Sequence, residues 1–515
     1  MQLVDHDPEV RGRAAADGAA QGASAAAVPP FEGRLVGAVA AGQVVLHLLY
    51  VRMYGLNAAD LHQLAQGRRL AWGYVDTMPL TPFLYRVVSE VFGVSSMSLH
   101  AVPILVGAGL VVLAAALARE MGGGRWAQGV CALAAAIGPV FLGSTQFMFP
   151  QTFDLLFTAL ASLVLIRLVR TGERRLWIPF GFVLGLGLLN KLTIAVWAAA
   201  TLIALLVGRH RRLLLTPWFA AGCAGAAAMF LPSTVWLVTH RDVYSKFVES
   251  QPQGWGDFAL FCIMPILAAT PIAALIWARG LRPPPDADGR RPMAFLGVAA
   301  AITAASIWVI GANPFHSVAL LLPLLAAGAV AIERTGGGRQ RTALATGIAA
   351  VGVAMVPLIT TILPEDVVYD SGIGRVFNLE YFMGYRDVAE DIAAAFHTLP
   401  PSDQSRATLL TYTSNEAAVV EFWSDELRVP KPISPENNYA LWGPSDAADD
   451  APVLVAGFQM SDLDGHFEGC RRIGTIGADG RPMDPNERGR PIAVCDSPTR
   501  PWSEIWPEIV RYERI

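Results

Sequence analysis

Residues 98–118 read SLHAVPILVGAGLVVLAAALA, and no Asp, Glu, Lys or Arg interrupts the run. One helix needs about 20 apolar residues to cross the roughly 30 Å hydrocarbon core of a bilayer. Ten further segments follow this pattern, so the sequence predicts about eleven membrane spans in a mostly α, polytopic helical bundle. The predicted spans lie near 35–54, 98–118, 126–142, 152–169, 176–190, 192–208, 213–238, 258–278, 293–311, 314–332 and 342–363.

The composition agrees with a membrane protein and divides the chain into two parts. Of the 515 residues, 53% are hydrophobic and 16% are charged, whereas about 25% are charged in an average soluble protein. Residues 1–363 hold 26 Lys and Arg against 17 Asp and Glu, and residues 364–515 hold 13 against 26. These figures exclude a disordered, fibrous or ordinary cytosolic protein. The net charge of −4 gives no reason to expect a nucleic-acid partner.

Basic residues recur in every second loop between the predicted spans, which sets the expected topology. Cytoplasmic loops carry the excess of Lys and Arg, so the N-terminus of this multi-pass protein is predicted to be cytoplasmic and residues 364–515 extracytoplasmic. Residues 1–33 are predicted to be a disordered cytosolic tail without a signal peptide. Residues 34–363 form the predicted membrane domain, which has a long outer loop at 55–97. The marker residues are Arg119, Arg125, Arg170, Arg174, Arg175, Arg209, Arg211, Arg212, Arg279, Arg282, Arg290, Arg291, Arg334, Arg339 and Arg341.

The segment 364–515 contains both strand-like and helix-like runs, which predicts a small extracytoplasmic α/β domain. Cys470 and Cys495 are its only cysteines, whereas Cys131, Cys223 and Cys262 fall within predicted spans. Because the space outside a cytoplasmic membrane is oxidising, we predict a disulfide between Cys470 and Cys495.

Charged residues at membrane depth are rare in this chain, which makes the exceptions informative. Asp154, in the run MFPQTFDLLF at 148–157, lies just inside the outer end of a predicted span. A carboxylate costs about 2.5–3.5 kcal/mol at mid-membrane and should therefore face a polar cavity, unless it snorkels or caps the helix. Lys191 lies at the outer tip of the 176–208 hairpin in a chain with only 3 lysines, and snorkelling is its ordinary explanation.

The first outer loop combines acidic residues, a histidine and aromatic residues. Asp60, His62 and Asp76 lie near Trp72 and Tyr74, although each alone is also typical of a solvated loop with an aromatic belt. Residues 79–94 place apolar side chains on one helical face, which predicts an amphipathic helix in the outer interface. Such a helix either anchors the loop or shapes an entrance for a lipid substrate.

These residues suit the transfer of a sugar from a lipid phosphate at the membrane edge. A carboxylate takes the proton from the acceptor hydroxyl, and cations stabilise the departing phosphate. Lys191 is one candidate cation, and Arg241 and Lys246 in the fourth outer loop are two more. No ligand spacing specifies a metal, so no cofactor is assigned and a divalent ion stays open.

Several motifs between about residue 45 and residue 205, and two in the C-terminal segment, match a known group of proteins. The motifs are LAWGYVD at 70–76 with PL at 79–80, FD at 153–154, GLGLLNK at 185–191, SNEAA at 414–418 and NNYALWGP at 437–444. In these motifs the chain resembles bacterial membrane glycosyltransferases of the C-type fold (GT-C), the group of protein O-mannosyltransferases and lipid A aminoarabinose transferases. The resemblance implies a polyprenyl-phosphate sugar donor and inverting transfer on the outer face.

One position departs from the pattern of that group. The family carries Asp-Glu early in the first outer loop, with the Asp as catalytic base, and alignment on LAWGYVD puts Ala59 and Asp60 there. Three explanations are open. Asp60 takes over as base through a small backbone shift, Asp154 at the family's second acidic position does more of the work, or activity has been lost. Lys191 matches the family's lysine in the same hairpin, which implies that it holds the donor phosphate.

The sequence therefore predicts a GT-C-like membrane glycosyltransferase that moves a sugar from a polyprenyl-phosphate donor to a lipid, glycan or protein acceptor outside the membrane. Asp60 and Asp154 are the candidate catalytic residues. The candidate substrate-binding residues are His62, Tyr74, Asp76, Gln151, Lys191, Arg241 and Lys246. The alternatives are a catalytically degenerate member that binds lipid-linked sugar or a partner, which Ala59 favours, and a transporter, which would show internal repeats.

Overall fold

The computed structural model describes residues 28–250, 258–283, 285, 292–310, 314–444 and 447–513, so residues 1–27 of the predicted tail lie outside it. A helical bundle is followed by an α/β unit. The bundle helices are α1 (Gly33–Tyr50), α2 (Ala58–Arg68), α3 (Leu80–Phe92), α4 (Ser96–Glu120), α5 (Arg125–Ile137), α6 (Pro139–Ser144), α7 (Pro150–Thr171), α8 (Trp177–Asn190), α9 (Thr193–Val207), α10 (Arg211–Leu214), α11 (Pro217–Thr239), α12 (Arg241–Ser250), α13 (Phe258–Ala269), α14 (Pro271–Gly280), α15 (Phe295–Val309), α16 (Leu321–Thr335) and α17 (Gly338–Ile359). Short 3₁₀ turns cover Arg174–Leu176 and Pro314–Leu320.

Among the described residues, six helical segments are long and apolar enough to cross a membrane. They are Gly33–Tyr50, Ser96–Glu120, Pro150–Thr171, Pro217–Thr239, Phe315–Thr335 and Gly338–Ile359. A seventh span is reached if Phe261–Ala269 and Pro271–Gly280, which are bent by 108°, form one broken span.

The predicted count of eleven spans is not confirmed, although each predicted span contains helix. The segment 126–142 divides before Pro139, and the segment 258–278 divides before Pro271. Proline lacks the backbone N–H that a continuous helix needs, which explains both breaks. Three further segments hold helices of only 14 or 15 residues, namely α8, α9 and α15.

Glycines let neighbouring bundle helices approach closely. A Cβ on Gly181 of α8 would lie 2.1 Å from the carbonyl oxygen of Gly222 in α11. A Cβ on Gly280 of α14 would lie 1.9 Å from the carbonyl oxygen of Leu324 in α16. These contacts leave no room for a side chain, and small residues are the usual contacts between helices in membranes. The contact of Gly181 with Gly222 positions α8 against α11, and α8 ends at Asn190 in the candidate site.

The α/β unit is built around a four-stranded sheet of order β1-β2-β5-β4. Strands β1 and β2 are parallel, whereas β5 pairs antiparallel with both β2 and β4. The strands are β1 (Thr408–Thr411), β2 (Val453–Ala456), β3 (Phe467–Glu468), β4 (Arg471–Thr475), β5 (Pro491–Cys495) and β6 (Ser497–Pro498), of which β3 and β6 form a separate pair. A disulfide joins Cys470 to Cys495 at the end of β5.

Within the described part of the α/β unit, seven helices and two 3₁₀ turns accompany the sheets. They are α18 (Glu365–Asp370), α19 (Ile373–Phe377), α20 (Tyr385–His397), α21 (Pro401–Gln404), α22 (Ser414–Leu427), α23 (Asn437–Trp442) and α24 (Trp502–Ile509), with the 3₁₀ turns Leu379–Phe382 and Met460–Leu463. Two of these helices, α20 and α22, share a buried core with Leu409 of β1, Leu454 of β2 and Val494 of β5.

The first outer loop is held between the bundle and the α/β unit. Helix α2 packs its buried residues Ala58, Leu61 and Ala65 into the core of the α/β unit beside α20 and α22. The predicted amphipathic segment at 79–94 forms α3, whose Phe83 and Val91 are exposed. The first outer loop therefore contacts both the bundle and the α/β unit.

Candidate functional site

An apolar groove of about 460 Å³ lies where the first outer loop meets the end of α8. Its lining residues are Leu70, Ala71, Trp72, Pro79, Leu80, Phe83 and Leu189. Trp72 and Phe83 are 57% and 48% exposed, which is unusual for large apolar side chains unless they meet a lipid or a ligand. The groove therefore offers an apolar chain a surface at the junction of loop and bundle.

A polar cluster begins two residues beyond the groove residue Leu189. The ammonium of Lys191 donates to Oε1 of Gln151 at 2.6 Å. Nε2 of Gln151 is buried and has no hydrogen-bond partner among the described residues, so it is a free donor. A free amide donor beside an ammonium suits an oxyanion such as a phosphate oxygen.

The neighbouring side chains hold this cluster in place. Asp154 is 2% exposed, lies close enough to Lys191 to attract it electrostatically, and accepts a hydrogen bond of 3.2 Å from Thr193. Asn190 donates to the carbonyl oxygen of Pro150 at 2.8 Å and accepts from Thr81 of α3 at 3.0 Å. The structure thus brings the predicted residues Gln151, Asp154 and Lys191 together from α7 and the α8–α9 turn.

A second cluster surrounds the carboxylate of Asp76. Nε2 of His62 lies 2.8 Å from Oδ2, and Nε2 of Gln66 donates to Oδ1 at 2.9 Å. Asn438 of the α/β unit donates to Oδ1 at 2.5 Å and accepts from the backbone N–H of Val75 at 2.9 Å. The side chain of Asp76 keeps 13% of its surface exposed. One carboxylate therefore joins the first outer loop to the α/β unit.

The two members of the Asp76–His62 pair stabilise each other's charge. Burial alone raises the pKa of Asp76, but the charge and hydrogen bond of His62, with the bond from Asn438, lower it below its usual range. Burial lowers the pKa of His62, but the carboxylate of Asp76 raises it above its usual range. Each group therefore favours the charged form of the other.

Asp60 lies in a different environment from the one expected of it. It belongs to helix α2 instead of a loop, and it is fully buried. Its carboxylate accepts from Tyr85 at 2.5 Å and from Asn57 at 2.8 Å, and it lies 3.1 Å from Nε2 of His100. The side chains of adjacent residues in an α-helix point about 100° apart. The carboxylate of Asp60 therefore points away from the direction of the half-buried Ala59, and a small backbone shift does not bring it there.

The remaining predicted binding residues lie apart from these clusters. The hydroxyl of Tyr74 is buried and donates to backbone carbonyls of the first outer loop, so it supports that loop. Arg241 is 81% exposed and pairs with its neighbour Asp242. Lys246 is exposed on the same helix, α12, and within the described chain neither cation contacts the Lys191 cluster.

Two contacts between the first outer loop and the α/β unit were not predicted from the sequence. Asn438 lies in the motif NNYALWGP, and the motif by itself indicates no partner for it. Arg69 donates to Glu421 at 2.9 Å, and its guanidinium lies 4.3 Å from the ring centroid of Trp442. Both contacts join the first outer loop to the α/β unit over more than 350 positions of sequence. No local pattern of the sequence marks such pairs.

Across the described ranges, no group of three or more His, Cys, Asp or Glu side chains is arranged to hold a metal ion. The candidate residues form two polar clusters, one of Lys191 with Gln151 and Asp154, and one of Asp76 with His62.

A family model matches part of this chain, and solved structures share its fold. Residues 76–236 match the family model described as dolichyl-phosphate-mannose-protein mannosyltransferase. The crystal structure of ArnT from Cupriavidus metallidurans bound to undecaprenyl phosphate superposes with a TM-score of 0.55 at 16% identity, over 90% of this chain and 98% of that chain. This chain has the fold of a C-type membrane glycosyltransferase.

The apo structure of ArnT from the same organism agrees, with a TM-score of 0.56 at 14% identity over 89% of this chain and 97% of that chain. No curated protein matches the sequence significantly. The resemblance stated from the motifs is thus confirmed at the level of the group. The matched segment 76–236 contains Gln151, Asp154 and Lys191.

Proposed function

We propose that this membrane protein transfers a sugar from a polyprenyl-phosphate donor to an acceptor on the outer face of the cytoplasmic membrane. One observation carries the proposal. Leu189, which lines the apolar groove, lies two residues before Lys191, and Lys191 is bonded to Gln151, whose Nε2 is a free donor within the described residues. A polyprenyl phosphate has the matching chemistry, since a long apolar chain ends in an anion. ArnT from Cupriavidus metallidurans, which shares the fold, has been crystallised with undecaprenyl phosphate.

In this proposal, Lys191 and Nε2 of Gln151 hold the phosphate of the donor. Charge-assisted hydrogen bonds of this kind also stabilise the negative charge that grows on the leaving phosphate. Asp154 orients Lys191 through its charge. Arg241 and Lys246 are exposed on α12, and the role of either in phosphate binding stays a prediction.

We assign the contact with the acceptor hydroxyl to Asp76. Among the three acidic candidates, its side chain is 13% exposed, whereas the side chain of Asp60 is fully buried and Asp154 is 2% exposed. A proton acceptor must reach the hydroxyl that it deprotonates, which supports Asp76 over Asp60. The full burial of Asp60 supports a positioning role for that residue.

A second candidate function is the binding of a lipid-linked sugar without transfer. Ala59 favours it, because the residue is half-buried at the position where the resembling group carries its base. Both candidates use the same groove and the same Lys191 cluster, so only turnover separates them.

The first test measures binding of undecaprenyl phosphate to the full chain in nanodiscs. Lys191→Ala should weaken binding by roughly 10- to 100-fold, because a hydrogen bond to a charged group is worth about 1.5–3 kcal/mol. Lys431→Ala, which removes an exposed lysine of the α/β unit, is the matched control and should bind like wild type. Ala71→Trp, which fills the groove, should weaken binding without removing a charge. Equal binding by Lys191→Ala, Ala71→Trp and wild type would refute the site.

The second test measures transfer from a panel of labelled undecaprenyl-phosphate sugars. Wild type should transfer at least one sugar, and Ala59→Asp should leave its rate nearly unchanged, because Asp76 already serves as base. If wild type binds the lipid but transfers nothing, and Ala59→Asp transfers, the second candidate function is correct.

A further inference from the structure

A second cavity, of about 350 Å³, lies in the α/β unit away from the groove. It is lined by Tyr369, Gly374, Arg375, Glu380, Tyr381, Met483, Pro485 and Arg488. Gly374 is required here, because a Cβ on it would lie 2.6 Å from Cγ of Glu380. Two segments distant in sequence, 369–381 and 483–488, thus enclose one space.

The charge of the cavity is opposite to that of the segment that contains it. Residues 364–515 hold twice as many acidic as basic residues, yet the cavity is lined by two arginines and one glutamate. Arg375 is 71% exposed, and the guanidinium of Arg488 lies 4.7 Å from the ring centroid of Tyr369. Guanidinium groups bind carboxylates and phosphates in a planar, two-point geometry. The cavity is therefore suited to an anion.

One buried atom of the cavity has an unused hydrogen-bonding capacity. The side chain of Glu380 is 2% exposed, and its Oε1 accepts no hydrogen bond from the described residues. Nε of Arg375 lies 3.5 Å from that atom, which is an ion-pair contact without hydrogen-bond geometry. A buried carboxylate oxygen without a donor is costly. A ligand hydroxyl would provide the missing donor.

The cavity also offers aromatic surface to a sugar ring. Tyr381, which lines the cavity, is 42% exposed. The ring of Tyr369 makes a cation–π contact with the guanidinium of Arg488. A ligand with a negative group, hydroxyl donors and a ring that packs on tyrosine matches all three features. Saccharides that carry a carboxylate or a phosphate have this combination.

The wall of the cavity is in contact with the bundle near the first outer loop. Phe382, next to Tyr381, stacks on Phe147 with ring centroids 4.7 Å apart. Phe147 packs edge-on against His100, which lies beside Asp60. The wall of the cavity is therefore linked by ring contacts to the buried surroundings of Asp60.

We propose that this cavity binds the anionic saccharide of the acceptor, with Arg375 and Arg488 on its negative group and Glu380 on a hydroxyl. The role as acceptor site rests on the proposed function, whereas the binding of an anionic saccharide does not.

Binding is tested with the full chain in nanodiscs by ligand-observed NMR, and no donor lipid is added. The probes are D-glucuronate, glucose 1-phosphate, D-glucose and inorganic phosphate. The two anionic sugars should bind at least about tenfold more tightly than glucose or phosphate, since one charge-assisted hydrogen bond is worth that factor. Tight binding of phosphate alone would overturn the saccharide assignment, and equal binding of glucose would overturn the anion assignment.

Variants connect the binding to the named residues. Arg375→Gln with Arg488→Gln should remove the preference for anionic sugars. Glu380→Met, which has no carboxylate to accept from a hydroxyl, should remove the preference for glucuronate over phosphate. Arg386→Ala, an exposed arginine that pairs with Glu390 and Glu426, is the control and should change neither preference. Wild-type binding by the double arginine variant would refute the site.

A kinetic readout separates this proposal from the proposed function. If transfer is observed, the double arginine variant should raise KM for the acceptor and leave kcat unchanged. A loss of kcat with unchanged KM would overturn the role as acceptor site. If no transfer is observed but glucuronate binds the cavity, the proposed function fails and the saccharide site stands.

Discussion

Two acid–histidine pairs lie on or beside helix α2, and they differ in what surrounds them. Asp60 and His100 are 0% and 3% exposed, and the acid is enclosed by partners from the bundle half of the chain. Asp76 and His62 are 13% and 4% exposed, and their partner Asn438 comes from the α/β unit. The fully buried carboxylate of Asp60 is suited to a structural role. The carboxylate of Asp76, which keeps part of its surface exposed between the bundle and the α/β unit, is accessible to a ligand.

Removal of the Asp60 carboxylate should have the largest effect on folding. Asp60→Ala leaves His100 and Tyr85 without their buried acceptor, and breaking a buried pair costs about 3–5 kcal/mol. We expect a clearly lower unfolding temperature in detergent, whereas Asp242→Ala, which breaks an exposed pair, should match wild type. If Asp60→Ala is as stable as wild type but inactive, Asp60 acts in catalysis. The distinction between a structural Asp60 and an accessible Asp76 would then be wrong.

Removal of the Asp76 charge should affect transfer more than stability. Asp76→Asn keeps the shape of the side chain but loses the proton acceptor, so we expect transfer to fall by roughly 10²- to 10⁴-fold. Binding of undecaprenyl phosphate should stay within about threefold of wild type, which is less than one hydrogen bond to a charged group contributes. Asp60→Asn, assayed beside it, should keep more activity. The reverse order would assign the base to Asp60.

Removal of the Asn438 side chain should loosen the contact between the two parts of the chain. Asn438→Ala loses the bonds to Asp76 and to the backbone of Val75, a local cost of about 1–3 kcal/mol. Hydrogen exchange in residues 58–76 should become faster, and transfer should fall with it. Asn486→Ala, at an exposed position of the α/β unit, is the control. Unchanged exchange would show that Asn438 does not position Asp76.

The Asp76–His62 pair should give the smallest effect, a dependence of this contact on pH. The raised pKa of His62 stabilises the contact fully below the ordinary value of about 6.5, and this contribution is lost as pH rises through the folded pKa. The lowered pKa of Asp76 stabilises the contact above about 3.9, and this contribution is lost as pH falls through the folded pKa.

Hydrogen exchange of residues 58–76 checks this dependence. Exchange, corrected for its intrinsic pH dependence, should be slowest between the two ordinary values and faster at alkaline pH. His62→Gln should remove the alkaline change. A variant that keeps the wild-type profile would exclude the pair as its source.

The sequence predicted the parts of the protein that depend on local patterns. Apolar runs placed helix in every predicted span, and apolar spacing at 79–94 predicted α3. The scarcity of lysine drew attention to Lys191, and Asp154 stood out as an acid within a span. The count of spans was not confirmed, because prolines divide two of the runs and three others form short helices.

Only the tertiary structure decided which acid is open and which is enclosed. In the sequence, Asp60 and Asp76 are two acidic residues of one loop, but their surroundings come from His100, Tyr85 and Asn438. The cavity of Arg375, Glu380 and Arg488 likewise unites segments about a hundred residues apart. The spacing of apolar residues shows which face of a helix is buried, so a short stretch of sequence is enough to predict that face. The partner that covers a polar group is chosen by packing of the whole chain, and only the folded molecule shows it.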